Sequence, residues 1–69
     1  MSNSTYLLLK ICITAQAAEK FIENLGPLSG HIVFDASNTE YITDTYAEAL
    51  SAAAKAAGAE SVNAINLPG

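Results

Sequence analysis

The pattern of apolar and polar positions along this 69-residue chain predicts four strands and two helices. Residues 5–13, "TYLLLKICI", are aliphatic or β-branched on both faces, which is typical of a central strand. One face is fully apolar and consists of Leu7, Leu9, Ile11 and Ile13. The opposite face is mixed and consists of Tyr6, Leu8, Lys10 and Cys12.

Apolar residues at helical spacing predict the first helix over residues 15–25. Thr14 stands where an N-cap is needed, because its hydroxyl can accept a hydrogen bond from a free amide of the first turn. Gly26 and Pro27 then follow in the order that usually ends a helix.

The second helix is predicted over residues 45–57, with an inner stripe of Tyr46, Leu50, Ala53 and Ala57. Thr45 and Glu48 have the spacing of a capping box, and Asp44 adds negative charge near the positive helix end. Gly58 supplies the C-terminal cap.

Between the helices, "HIVFDA" and "TEYIT" predict two strands joined by a turn at Ser37. A two-residue loop would place Asp35 opposite Glu40, which is unfavourable for like charges. A three-residue loop instead aligns Phe34 with Ile42 and puts Ile32 on the same inner face, so we expect a hairpin with the odd-length loop.

With "SVNAINL" as a last strand, the order is β-α-β-β-α-β, and no internal repeat or linker is evident. The chain is therefore predicted to form one α+β domain over residues 1–69. The expected architecture is a small two-layer α/β sandwich with a ferredoxin-like arrangement.

Composition limits the chemistry that the chain can perform. A single cysteine, Cys12, excludes an internal disulfide framework and is expected to be a buried thiol. Lys10 interrupts the first apolar run, which stays far short of the roughly 20 residues of a membrane span. We therefore expect a soluble, intracellular protein that does not contact a membrane.

Catalytic and metal-binding patterns are not evident in the sequence. His31 and Asp35 would stand about 13 Å apart on one strand, too far for the carboxylate to orient the imidazole ring. One His and one Cys cannot form a zinc site without carboxylates, and no phosphate-binding glycine loop is present. These features predict a protein that is not an enzyme and that holds neither a cofactor nor a metal.

The net charge is −4, from seven acidic residues and three lysines, with no arginine. Such a chain repels nucleic acid, so we expect no direct nucleic-acid binding and a protein partner with a basic surface. Asp35, Glu40, Asp44 and Glu48 lie within fourteen positions, with no Lys or Arg among them.

These carboxylates have two interpretations. In the first, they merely solvate a hairpin tip and the start of a helix. In the second, they form an acidic edge that occupies a nucleic-acid channel, because carboxylates roughly 5–7 Å apart approximate the spacing of phosphates. Glu19 and Glu23 on the first helix would extend that edge. The second interpretation makes all six residues candidates for partner binding.

The whole chain resembles the anti-CRISPR proteins that bacteriophages encode against type I CRISPR systems, and among them the type I-C group. The resemblance depends on the small, acidic, single-domain chain and on the stretch "HIVFDASNTEYITDTYAEAL". It implies a monomeric inhibitor in the cytoplasm of a bacterial host. Such an inhibitor binds the crRNA-guided surveillance complex and blocks target DNA, by acidic DNA mimicry. Two alternatives are an interaction module that pairs through a strand edge or the Tyr6–Leu8–Cys12 face, and a minor enzyme subunit.

Overall fold

The computed structural model describes residues 3–68 and shows two helices and two small sheets. The elements in chain order are β1 (Asn3–Leu7), β2 (Ile11–Cys12), α1 (Ala15–Leu25), β3 (His31–Asp35), β4 (Tyr41–Ile42), α2 (Asp44–Ala56) and β5 (Ser61–Ile65). Within the described range, neither helix has the length and apolar character needed to cross a membrane.

All strand pairs in the described part of the chain are parallel. The larger sheet has the order β1-β3-β5, and the smaller one pairs β2 with β4. The two helices and the α+β class are as predicted, with α1 and α2 packed against each other. The ferredoxin-like arrangement is not confirmed, because that arrangement needs antiparallel neighbours and fits parallel strands poorly.

The single strand predicted over residues 5–13 is wrong. The chain bends at Lys10 and divides into β1 and β2, because the two halves pair with different strands, β3 and β4. The alternation of faces continues through the bend. Leu8 and Cys12 are buried in the core, whereas the predicted apolar face, Leu7, Leu9, Ile11 and Ile13, is exposed. The Tyr6–Leu8–Cys12 face is therefore interior and is not free to bind a partner.

The predicted hairpin between β3 and β4 is also wrong, and Phe34 does not pair with Ile42. After β3 the chain turns, with the Thr39 amide donating to the Ala36 carbonyl at 2.9 Å, but it does not fold back along β3. The Glu40 amide donates to the Lys10 carbonyl at 2.8 Å, which places β4 beside β2. The pairing of β4 with the first half of the chain replaces the hairpin.

Local signals placed the first helix correctly. The Thr14 hydroxyl accepts a hydrogen bond from the Ala17 amide at 3.1 Å, and Gly26 ends α1 at φ 82°. The capping box of Thr45 and Glu48 is not formed, because α2 begins one residue earlier. Its N-cap is Thr43, whose hydroxyl accepts from the Tyr46 amide at 3.1 Å.

Both helices cover the same face of the larger sheet. Ile32 and Phe34, the residues of β3 predicted to face inward, are buried, and the ring of Phe21 from α1 meets Phe34 edge-on at 6.2 Å. The crossovers from β1 to β3 and from β3 to β5 run in the same direction across the sheet, so crossovers of one hand place both helices on one side. The core is formed by Leu8, Cys12, Ala18, Ile22, Leu28, Ile32, Phe34, Ala36, Tyr46, Leu50, Ala54 and Ala59.

The other face of the larger sheet carries no second layer within residues 3–68. Its side chains form three rows across the strands: Asn3, His31 and Ser61; Thr5, Val33 and Asn63; Leu7, Asp35 and Ile65. The β1 and β5 members of these rows are exposed, and the β3 members are half-buried. An all-parallel sheet usually has both faces covered, so the free face is unusual.

The chain folds as two successive β-β-α units followed by one more strand, although the sequence shows no clear repeat. The first unit consists of β1, β2 and α1, and the second consists of β3, β4 and α2. Each helix begins directly after the short second strand of its unit, at the N-caps Thr14 and Thr43. Equivalent elements lie side by side: β1 with β3, β2 with β4, and α1 with α2.

Candidate functional site

The six candidate carboxylates do not form one edge. Asp35 ends β3 and Glu40 lies in the loop before β4, so both belong to the strand side of the domain. The other four lie on the helices and are exposed: Glu19, Glu23, Asp44 and Glu48. The continuous row expected from the sequence depended on the hairpin, which does not form.

Asp35 is a structural residue of the turn that follows β3. One carboxylate oxygen accepts from the Ser37 amide at 2.9 Å and from the Asn66 side chain at 3.1 Å. The hydrogen bond from Asn66, followed by the bonds from Ser37, lowers the pKa of Asp35 below its ordinary value of 3.8. The carboxylate thus connects the end of β3 to the residue that follows β5.

Glu40 has a partner of opposite charge, contrary to the sequence interpretation of an uncompensated run. The Lys10 ammonium lies 3.1 Å from its carboxylate, and both side chains are 65% exposed. An exposed pair of this kind contributes about 0–1 kcal/mol to stability. Its larger effect is electrostatic, because it cancels one negative charge on the strand side.

The helical carboxylates are different, because no ion pair involves them within residues 3–68. Asp44 is in the first turn of α2, where the helix dipole favours a negative charge. Glu19 and Glu48 occupy equivalent positions, five residues after Thr14 and Thr43. Because α1 and α2 are packed neighbours, these two carboxylates lie on one helical surface. Partner binding by any of the six candidate carboxylates stays a prediction.

The feature that sequence reasoning missed is an exposed apolar surface. We call Leu7, Ile11, Ile13 and Tyr41 the apolar flank; each is 46–55% exposed. Ile11 and Tyr41 are register partners of the smaller sheet and therefore share a face. A signal was present in the sequence: both faces of residues 5–13 are apolar, yet so small a domain cannot cover both.

Two apolar grooves lie at opposite ends of the molecule, one beside α1 of the first β-β-α unit and the other beside α2 of the second. One has a volume of about 470 Å³ and is lined by Leu9 together with Ala17, Lys20, Phe21, Asn24 and Leu25 of α1. The other has a volume of about 170 Å³ and adjoins α2 and β5. Its lining includes Ala47, Ser51, Val62, Ala64 and Leu67.

The remaining reactive groups do not assemble into a catalytic site. His31 Nδ1 lies 2.6 Å from the Ser61 hydroxyl on the free sheet face, while Asp35 is at the other end of the same strand. The buried Cys12 thiol donates to the Leu9 carbonyl at 3.3 Å. Across residues 3–68, no three His, Cys, Asp or Glu side chains converge as metal ligands would.

One buried polar atom lacks a partner in the described part of the chain. The hydroxyl of Tyr46 is buried without a hydrogen bond. Burial raises the pKa of Tyr46, and the neighbouring Cys12 raises it further. The phenol therefore stays neutral and is a core side chain rather than an acid or base.

Comparison with models of known protein families, with curated proteins and with solved structures found no match to this chain. The resemblance to anti-CRISPR proteins therefore stays a prediction. Proposals about function depend on the apolar flank, the helical carboxylates and the two end grooves of this molecule.

Proposed function

We propose that this protein is a small non-enzymatic interaction module that binds another protein through the apolar flank. The observation that carries the proposal is the exposure of four large apolar side chains, each 46–55% accessible, of which Ile11 and Tyr41 are register partners on one face of the smaller sheet. Contiguous apolar surface with a polar rim is typical of interaction sites. Leu7 also belongs to the free sheet face, so the flank adjoins a surface that parallel sheets normally cover.

The energy available from the flank suits a specific but reversible contact. Fully burying a Leu or Ile side chain contributes about 1.5–3 kcal/mol, so burying the exposed half of each flank residue contributes about 1 kcal/mol. Four such residues supply roughly 4 kcal/mol before the costs of association. Charge complementarity with a basic partner would add to the association rate, because this chain carries a net charge of −4.

A comparison of variants on the immobilised protein tests this proposal. Ile11→Gln/Tyr41→Gln should lose partners that the native protein captures from a bacterial lysate, as measured by quantitative mass spectrometry. The matched control is Ile65→Gln/Leu67→Gln, which replaces two other exposed apolar residues and should retain those partners. If both double variants are folded and capture the same proteins as the native chain, the flank is not the binding surface.

We propose inhibition of a type I CRISPR surveillance complex, and within that class the type I-C complex, as the candidate biological role. The observation that favours it is the helical surface with four exposed carboxylates and no ion pair within residues 3–68: Glu19, Glu23, Asp44 and Glu48. Such a surface suits a basic DNA channel, where the inhibitor would exclude target DNA stoichiometrically in the host cytoplasm. The pairing of Glu40 with Lys10 leaves the helices, rather than the strand side, as the surface that imitates DNA charge.

A DNA-binding assay tests this role directly. The purified type I-C complex is mixed with labelled target DNA and increasing amounts of the protein, and the fraction of bound DNA is measured by gel shift. The native protein should abolish binding near a stoichiometric ratio, and Glu19→Lys/Glu48→Lys should lose that effect through repulsion. Undiminished DNA binding at a large excess of folded native protein would refute the CRISPR role and leave the flank proposal standing.

A further inference from the structure

The grooves at the two ends of the molecule are corresponding parts of one repeated interface. Residues of α1 and α2 are equivalent when they lie equally far along the chain from the N-caps Thr14 and Thr43. Inside the molecule, α2 packs against α1. Within residues 3–68, no helix packs against the side of α1 that faces away from α2. Likewise, no helix in this range packs against the side of α2 that faces away from α1.

The groove beside α1, which we call the leading face, is lined by Lys20 and Asn24 and by the apolar residues Leu9, Ala17, Phe21 and Leu25. The last three are equivalent to Tyr46, Leu50 and Ala54 of α2. Those α2 residues are buried, with α1 packed alongside. The leading face therefore presents the positions that, in the second unit, a preceding helix helps to cover.

The groove beside α2, which we call the trailing face, shows the converse. Ala47 and Ser51 line it, and they are equivalent to Ala18 and Ile22 of α1. Ala18 and Ile22 are buried, with α2 packed alongside, whereas Ala47 is exposed and Ser51 is half-buried. The trailing face therefore presents the positions that, in the first unit, a following helix covers.

We propose that the leading face of one copy of this chain binds the trailing face of a second copy, so that the copies associate head to tail. The contact repeats the internal packing of α1 on α2, with small residues on the trailing face and larger ones on the leading face. Strand direction agrees with this arrangement. β1 and β5 are the two edges of one parallel sheet, so β5 of one copy can pair in parallel with β1 of the next. A two-fold dimer would instead bring identical edges together in antiparallel orientation.

Sedimentation velocity of the whole protein, from about 10 to 500 µM, measures the association in a range suited to a weak, non-obligate contact. The native chain should shift from monomer to larger species as its concentration rises. Added NaCl should strengthen the association, because each copy carries a net charge of −4. The three glutamate variants described next have exposed sites, and circular dichroism checks that each is folded.

Two variants that each block one face make the test specific. Ala17→Glu blocks the leading face and Ala47→Glu blocks the trailing face, and each should weaken self-association at least about tenfold. When mixed, the two variants should form a one-to-one dimer and nothing larger, because one intact leading face and one intact trailing face remain. Ala52→Glu, on an exposed part of α2 outside both grooves, is the matched control and should associate as the native chain does.

Three results would overturn the proposal. The first is a native protein that stays monomeric at all concentrations and salt levels. The second is a mixture of the two blocked variants that stays monomeric although each variant is folded. The third is self-association that Ala17→Glu leaves unchanged. None of these results affects the apolar flank, because its test variant changes Ile11 and Tyr41, which line neither groove, and concerns a different partner.

Discussion

Replacing Gly58 by Ala should remove a large part of the stability of this domain. Gly58 has φ 119°, and an added Cβ would lie 2.2 Å from the Leu28 carbonyl oxygen. The oxygen belongs to the backbone, so it cannot rotate away as a flexible side chain would. The Leu28 amide also donates to the Ala57 carbonyl at 2.9 Å, so moving this segment endangers a neighbouring hydrogen bond.

The magnitude follows from two contributions. A non-glycine residue in a sparsely populated backbone region costs about 1–3 kcal/mol, and overpacking a tight site costs about 1–3 kcal/mol more. Gly58→Ala should therefore cost about 2–6 kcal/mol in total. The total stability of a chain of this length is roughly 3–10 kcal/mol, so the variant is expected to be partly unfolded at room temperature.

Gly26→Ala is the matched control for this prediction. Gly26 also has a positive φ, 82°, but an added Cβ there would meet nothing within 4 Å. Only the backbone contribution of about 1–3 kcal/mol applies. Urea denaturation followed by circular dichroism measures both variants. If the two substitutions lower the free energy of unfolding equally, the close approach of Gly58 to Leu28 is not a real constraint.

Three further predictions concern single side chains. Tyr46→Phe should leave the melting temperature unchanged or raise it, because the buried hydroxyl has no hydrogen-bond partner in residues 3–68; a loss above about 1 kcal/mol would reveal a hidden partner. Asn66→Ala should raise the pKa of Asp35 towards 3.8, since Asn66 is the largest cause of its lowering. Because that pKa is lowered in the folded state, the Asp35 contribution to stability is present at neutral pH and is lost as the pH falls below 3.8 through the folded value. Carbon NMR titration measures the shift, and an unchanged pKa would refute the assignment. Cys12→Ser should lower stability by about 1 kcal/mol without affecting binding, whereas loss of binding by a folded variant in the lysate capture assay would indicate a role for the thiol.

Features encoded by neighbouring residues could be predicted from the sequence. The first helix has a polar N-cap, Thr14, and a glycine end, Gly26, and both signals act within one or two turns. The inward alternation of Ile32 and Phe34 likewise depends only on the period of a strand. These local signals were sufficient to locate both helices and β3.

Strand pairing could not be predicted in the same way, because it depends on residues that are far apart in the chain. The hairpin was favoured by "SNT", which does form a turn, but the hydrogen bond from Glu40 to Lys10 takes the chain to β2. The repeat does leave a faint trace, since "TAQAAE" and "TDTYAE" share a Thr, an Ala and a Glu at equivalent positions. So few identities cannot establish a repeat without the structure.

The candidate site was predicted only in part. Burial of Cys12 was confirmed, but the sequence did not distinguish the buried face of residues 7–13 from the exposed one. Periodicity shows which residues share a face and does not show which face points inward when both are apolar. The ion pair of Glu40 with Lys10 was missed for a related reason, since it joins the bend after β1 to the loop before β4.

The two successive β-β-α units also determine the order in which this chain can fold. Each strand pair joins elements one unit apart in the chain: β1 with β3, β2 with β4, and β3 with β5. No hydrogen bond between strands can therefore form until the intervening segment has closed into a loop. The chain must therefore lose the entropy of loop closure before the contacts between strands can stabilise it. This requirement slows the folding of proteins whose contacts are far apart in the sequence. The helices need no such closure and form on the sub-microsecond scale typical of short helical segments. The transition state should consequently contain α1 and α2 already formed, with β3 as the first strand to pair and β5 as the last element to join.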